Sequence, residues 1–119
     1  MRFAILGKNG LVGDAFRRNL NDVQLLVGRE DIDLKDTNKL EQSLRENKID
    51  TVINAAAIVG GIELNRSKPY DMLSENISLS ESILRASINS GVSNLVQFCS
   101  NCSYPVDAKQ PYKENDLFG

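Results

Sequence analysis

Three glycines recur at three-residue intervals near the start of the chain, in Gly7-Lys8-Asn9-Gly10-Leu11-Val12-Gly13. This spacing suits a phosphate-binding turn between a strand and a helix. Gly7 permits the tight turn, Gly10 keeps a side chain out of the path of a pyrophosphate, and Gly13 lets helix and sheet approach closely. The amides at the helix N-terminus then face the anion. The plain alternative is a tight turn that uses three glycines for its own sake. Lys8, Asn9, Leu11 and Val12 belong to the same loop, Leu11 and Val12 as packing residues ahead of contacts. A second cluster is Cys99-Ser100-Asn101-Cys102. Its spacing is that of a metal or redox pair, with two ordinary thiols as the leading reading. The sequence has no histidine and no further cysteine, so zinc lacks additional soft or imidazole ligands and no metal is expected. The missing histidine also removes every histidine-based triad and shuttle.

Both clusters need elements to hold them. Residues 2–6 read as a short buried strand that delivers the chain to the glycine loop. Val12, Ala15, Phe16 and Leu20 recur at helical spacing and predict a helix over 12–20. Residues 23–28 are nearly all apolar, as a strand covered on both faces should be. Ile32 and Leu34 alternate and suggest a very short edge strand. Asn38 with Glu41 fits a capping box for a helix over 37–47, with Leu40 and Leu44 as its stripe. Residues 50–56 form a third clear strand, ending in the small side chains Ala55-Ala56-Ala57, and Val59-Gly60-Gly61 prolongs the small region. Residues 95–99 read as the last strand. From Tyr104 onward the chain reads as loop, with Pro105 and Pro111 as breakers.

The longest helix, 70–89, starts after Pro69. Tyr70, Leu73, Ile77, Leu84 and Ile88 make one apolar stripe, and Met72, Leu79, Ile83 and Ala86 another, with Asn76, Ser80 and Ser87 between. That arc is wider than one sheet face needs. Two readings stand: sheet on one side with a neighbouring helix on the other, or a helix that also packs across a homodimer interface. The alternation of strands and helices predicts an α/β chain with a Rossmann-like parallel sheet in spatial order 3-2-1-4-5, the 32–34 strand being third. Residues 1–119 form part of one domain, without repeat or linker.

The composition narrows the function. Fourteen basic and 16 acidic residues give a net charge of −2, so nothing favours nucleic-acid binding. Hydrophobic residues are 41% and charged residues 25%, an ordinary globular balance. No apolar run approaches the roughly 18 residues of a membrane span, and the N-terminus does not read as a signal peptide. A cytoplasmic location is the expectation. The second strand ends Val27-Gly28-Arg29. Arginine at that point pairs with the 2′-phosphate of NADP, where a carboxylate would bond the 2′-hydroxyl of NAD. Lys8 could add charge. Glu30 and Asp31 blur the signal, since either could reach a hydroxyl. NADP is favoured over NAD, with a solvated Arg29 as the alternative.

Three stretches together resemble the extended short-chain dehydrogenase/reductase superfamily: the Gly7-Gly10-Gly13 loop, Asn54-Ala55-Ala56-Ala57, and Ser100 after the next strand. Closer still, the chain is similar to the GDP-L-fucose synthase family of NADPH-dependent epimerase-reductases. Ala56-Ala57-Ile58-Val59-Gly60-Gly61-Ile62, Pro69, Asn76, Cys99-Ser100-Asn101-Cys102-Ser103-Tyr104-Pro105 and Ala108-Lys109-Gln110-Pro111 carry this likeness. It implies 3,5-epimerisation and 4-keto reduction of GDP-4-keto-6-deoxy-D-mannose. It implies that Ser100 bonds the 4-keto oxygen and that Cys102 exchanges a proton beside a carbonyl. Cys99 is expected in the core at the strand end. The resemblance also implies that Asn54, Ala55, Ala56 and Ala57 let the nicotinamide half approach the sheet. Val59, Gly60, Gly61 and Lys109 would lie on the substrate side, and Asn76 would reach structurally toward the central strands.

The chain departs from that pattern. Asn9 stands where the family often carries arginine. The superfamily's Tyr-x-x-x-Lys proton donor is missing, because Tyr70, Tyr104 and Tyr112 are followed four residues on by Ser74, Ala108 and Asp116. The family's later histidine is missing too. The chain therefore reads as the first third of an enzyme, with half of its catalytic set. Two further functions stay open: a related nucleotide-sugar epimerase or dehydratase, and a non-catalytic dinucleotide-binding module or split-enzyme subunit.

Overall fold

The computed structural model of the chain describes residues 1–117. The elements are β1 (Phe3–Leu6), α1 (Leu11–Asn19), β2 (Val23–Val27), α2 (Thr37–Glu46), β3 (Thr51–Asn54), α3 (Ile62–Ser67), α4 (Pro69–Ser90) and β4 (Asn94–Gln97). Two single 3₁₀ turns follow, at Asn101–Ser103 and Glu114–Asp116. The strands form one parallel sheet in the order β2-β1-β3-β4. This is the Rossmann-like arrangement, with the chain reversing direction across β1.

Period-two alternation sorts the strand residues onto two faces. Ala4, Leu6 and Val52 pack with Leu40 and Leu44 of α2 and Leu79, Ile83 and Ala86 of α4 in one cluster. Ile5 and Ile53 have the opposite parity and lie on the face of α1. That second face is less covered. Val96, in register with Ile53, is 43% exposed, and Phe98 meets Phe16 of α1 at 5.7 Å between ring centroids while staying 44% exposed.

The helices begin and end for local reasons. The Asp36 carboxylate accepts the Lys39 N–H at 3.1 Å and caps α2, so the cap is Asp36 and not a box built on Asn38. Pro69 sits in the first turn of α4, where its missing N–H costs nothing, and Gly91 at φ +78° ends that helix in the left-handed region. No helix of the described residues is long and apolar enough to cross a membrane.

Two expectations are corrected, for the 32–34 stretch and for β2. The 32–34 stretch is not a strand. The Asp36 N–H bonds the Asp33 carbonyl at 2.8 Å, and the Asp33 carboxylate takes the Lys35 N–H at 3.0 Å, so the segment turns while Leu34 and Ile32 still reach the core. The observed order is the predicted one without that strand. β2 is an edge strand and only Val27 is fully covered, contrary to the two-sided burial its apolar run suggests. The short helix α3 was not expected. On α4, Leu79, Ile83 and Ala86 of the second stripe are buried and Met72 is half-buried, while Tyr70, Leu73, Ile77, Leu84 and Ile88 are all exposed.

Candidate functional site

The glycine loop leaves β1 at the carboxyl edge of the sheet. Gly7 lies at φ +85°, and a Cβ there would come within 2.7 Å of the Ala56 nitrogen where β3 leaves the sheet. The Gly7 and Lys8 amides both bond the Val27 carbonyl, at 2.8 and 3.1 Å, which anchors the turn to the end of β2. A Cβ on buried Gly13 would overlap the Gly7 carbonyl, so α1 packs directly on the loop. These two glycines are required by the chain itself.

Gly10 is different. It is the N-cap of α1 at φ −77°, ψ 163°, ordinary extended values, and a Cβ there would meet nothing nearer than the Gly7 oxygen at 3.5 Å. No side chain caps the helix. Among the described residues the amides at the start of α1 therefore have no side-chain cap, and the space beside Gly10 is open. Leu11 and Val12, expected in packing, are exposed instead, because α1 turns that side outward. Ala15 is exposed too, and Phe16 is the residue that packs.

The end of β2 closes over the loop. Lys8 Nζ lies 2.6 Å from Asp31 and 3.1 Å from Glu30. Asn9 Nδ2 donates to both Glu30 oxygens, at 3.0 and 3.1 Å. The Gly28 N–H donates to Asp31 at 2.7 Å. Asp31 and then Glu30 hold the Lys8 ammonium above its ordinary pKa. Lys8 first, then the Gly28 amide, holds the Asp31 carboxyl below its usual range. Glu30 is lowered by its own backbone amide, then by Asn9 and Lys8. The charge expected from Lys8 is thus already neutralised within the chain. Arg29 between them is exposed and makes no ion pair among the described residues.

β3 supplies the middle of the edge. Asn54 is 1% exposed; its amide donates to Gln97 at 2.7 Å and its carbonyl accepts the Ala56 N–H at 3.0 Å. The Ala55 N–H bonds the Leu6 carbonyl at 2.9 Å. Ala55 and Ala56 lie against the glycine loop, and Ala57 is exposed. Asn76 on α4 then clamps the departing chain, accepting the Ile58 N–H at 2.9 Å and donating to the Ile58 carbonyl at 2.8 Å. An open cleft of about 410 Å³ lies beside this clamp, lined by Val59, Gly60, Asn65, Met72 and Leu73 among others. A Cβ on Gly60 would overlap Leu64 of α3, whereas Gly61 has open space. Asn65 Nδ2 bonds the carbonyls of Gly60 and Gly61, at 3.0 and 3.1 Å. Gln97 and Asn65 are the partners that sequence reasoning missed. The one stands opposite Asn54 in strand register; the other follows Gly61 by one helical turn.

After β4 comes the second cluster. Ser100 and Cys102 are exposed, and the Ser100 hydroxyl oxygen accepts the Cys102 N–H at 3.1 Å. Cys99 is also exposed, with its sulfur 3.0 Å from the Ser103 hydroxyl. It is not a core residue, because β4 stops at Gln97 and the chain has already left the sheet. Neither cysteine is in a disulfide. Tyr104 stacks on Tyr112 with centroids 4.6 Å apart. Lys109 is exposed, and no hydrogen bond or ion pair joins it to this turn among the described residues. The structure thus brings the loop, the β2 end and the β3 exit together, and holds Ser100 and Cys102 in an exposed turn after β4.

The chain is 37% identical over 120 residues to a GDP-L-fucose synthase of Escherichia coli (strain K12), covering 98% of this chain and 37% of that protein. It superimposes with a TM-score of 0.81 and 29% identity on a GDP-mannoheptose C4 reductase from Campylobacter jejuni with NADP bound, covering 98% of this chain and 36% of that one. A GDP-L-fucose synthetase from Naegleria fowleri bound to NADP gives a TM-score of 0.79 at 25% identity, over 97% of this chain and 36% of that one. The chain spans a little over a third of the length of these relatives. The profile of the NAD dependent epimerase/dehydratase family matches residues 3–119, and the chain belongs to that family.

Proposed function

We propose that this chain forms the dinucleotide-binding part of an NADPH-dependent GDP-sugar epimerase-reductase of the GDP-L-fucose synthase type. The observation that carries the reading is Gly10: a glycine that nothing in the chain requires, at an uncapped helix start, leaves room for a pyrophosphate. The relatives named for this activity, and the similar structures holding NADP, support the same choice of cofactor and substrate class.

The residues fit that ligand. First-turn amides after Gly10 receive the pyrophosphate, Arg29 pairs with the 2′-phosphate, and the small side chains of Ala55–Ala57 leave the nicotinamide half close to the sheet. Bound NADPH supplies a hydride to a carbonyl carbon. Ser100 would donate a hydrogen bond to the 4-keto oxygen and keep its proton, holding that oxygen while charge develops on it; because its own oxygen already accepts the Cys102 amide, its O–H is the part left to give. Cys102 moves a proton at the ring carbon beside a carbonyl, a task suited to a thiol. Val59, Gly60, Gly61 and Lys109 stand on the substrate side. No tyrosine of this sequence has the lysine four residues on that would lower its pKa for alkoxide protonation.

Purified chain incubated with GDP-4-keto-6-deoxymannose and NADPH tests the assignment by absorbance. The 119 residues should bind NADPH and show no sugar-dependent oxidation, since losing one member of a cooperating catalytic set costs orders of magnitude. Turnover that disappears in Ser100→Ala would contradict the reading that these residues hold no proton donor for the alkoxide. The exposed stripe Tyr70, Leu73, Ile77, Leu84 and Ile88 supports a homodimer packed through α4. Sedimentation should show a dimer that Leu73→Lys with Ile77→Lys dissociates; a monomeric parent would remove that part.

A further inference from the structure

The carboxylate of Glu30 occupies an anion position. It receives Asn9 Nδ2 on both oxygens, at 3.1 and 3.0 Å, and Lys8 Nζ at 3.1 Å. These three contacts come from side chains of the glycine loop, and Glu30's own backbone amide adds to them. Its neighbour Asp31 is committed differently, because it holds the Gly28 backbone amide at 2.7 Å as well as Lys8. Asp31 therefore belongs to the turn, while Glu30, with its side chain 55% exposed, meets no backbone amide but its own and can swing away without releasing that of another residue. Gly28 keeps this arrangement tight: a Cβ there would come within 2.6 Å of the Glu30 carboxylate and 2.9 Å of Asn9 Nδ2.

We infer that Glu30 is an internal stand-in for the 2′-phosphate and that the chain's discrimination between NADPH and NADH is set by its displacement from Lys8 and Asn9. This rests on the dinucleotide-binding reading above. A 2′-phosphate entering beside Arg29 meets Lys8 and Asn9 already paired and must evict a like charge. A 2′-hydroxyl carries no charge and leaves the Glu30 pairs in place. Arg29 supplies attraction for the phosphate, and Glu30 opposes it. The balance is electrostatic and screened by salt.

The test measures dissociation constants of NADPH and NADH for the full chain by cofactor fluorescence. The parent should prefer NADPH. Glu30→Gln, and Glu30→Ala beside it, should raise that preference about fivefold, the upper range of an exposed ion pair. Glu30→Asp should retain most of the parent ratio. With Lys8→Met and Asn9→Ala already present, Glu30→Gln should move the ratio less than twofold, because there is no pair left to break. A ratio unchanged by Glu30→Gln while both dinucleotides still bind would overturn the inference and leave the dinucleotide reading standing. A fivefold change that persists without Lys8 and Asn9 would overturn it as well. A folded parent that binds neither dinucleotide would overturn the dinucleotide reading and the inference together.

Discussion

Two turns leave the carboxyl edge of the same sheet and are built in different ways. The turn after β1 is held by partners far away in sequence. Val27 receives its amides, Ala55 and Ala56 press on Gly7, and Glu30 and Asp31 hold its two polar side chains. The turn after β4 carries short-range bonds, Cys102 to Ser100 and Cys99 to Ser103, and its serine and cysteines are exposed. The first turn is thus part of the fold, and a ligand finds it formed. The second presents reactive groups without burying them. Binding and chemistry should therefore respond separately to substitution.

The largest effect is expected where the first turn and its helix touch. Gly13→Val would drive a side chain into the Gly7 carbonyl and should cost on the order of 3 kcal/mol or prevent folding, read as the urea midpoint. A midpoint near the parent's would show that α1 can lift off the loop and would break the contrast. A smaller loss is expected at Asn54, whose buried amide links the β3 exit to β4. Asn54→Ala leaves the Ala56 N–H without its partner and should cost about 1–3 kcal/mol. The smallest effect belongs to the second turn. Ser100→Ala and Cys102→Ser should each stay within about 0.5 kcal/mol of the parent in stability and leave NADPH affinity unchanged. A large loss at either position would make the second turn part of the fold like the first.

The difference between the turns also decides what the sequence could reveal. The glycine loop was legible because its spacing is local, even though Gly7 answers to Ala55 and Ala56 far along the chain. The strands and α4 were legible from apolar runs and periodicity. Ion pairing of Lys8 with Glu30 and Asp31 was not, since it joins side chains more than twenty residues apart. The Ile32–Leu34 alternation misled because two loop residues can reach a core at period two without a ladder beside them. Asp36 and Asn38 are both good caps, and only the backbone geometry chooses between them. Helix α3 has no buried residue, so it offers no apolar stripe to read. Cys99 reads as core because residues 95–99 read as the strand, yet the strand ends two residues earlier.

The central claim is that Gly10 is a glycine for the sake of a bound dinucleotide. Gly10→Asp tests it most directly. Aspartate is among the best N-cap residues, and the extended conformation of Gly10 with open space at its Cβ suits it, so the melting temperature should hold or rise. The same carboxylate would occupy and repel the pyrophosphate position, so NADPH affinity should fall by about a hundredfold or more. Calorimetric titration of parent and variant, each with its melting curve, gives both numbers. A stable variant that has lost NADPH is the predicted result. A variant that binds NADPH as tightly as the parent would contradict the account.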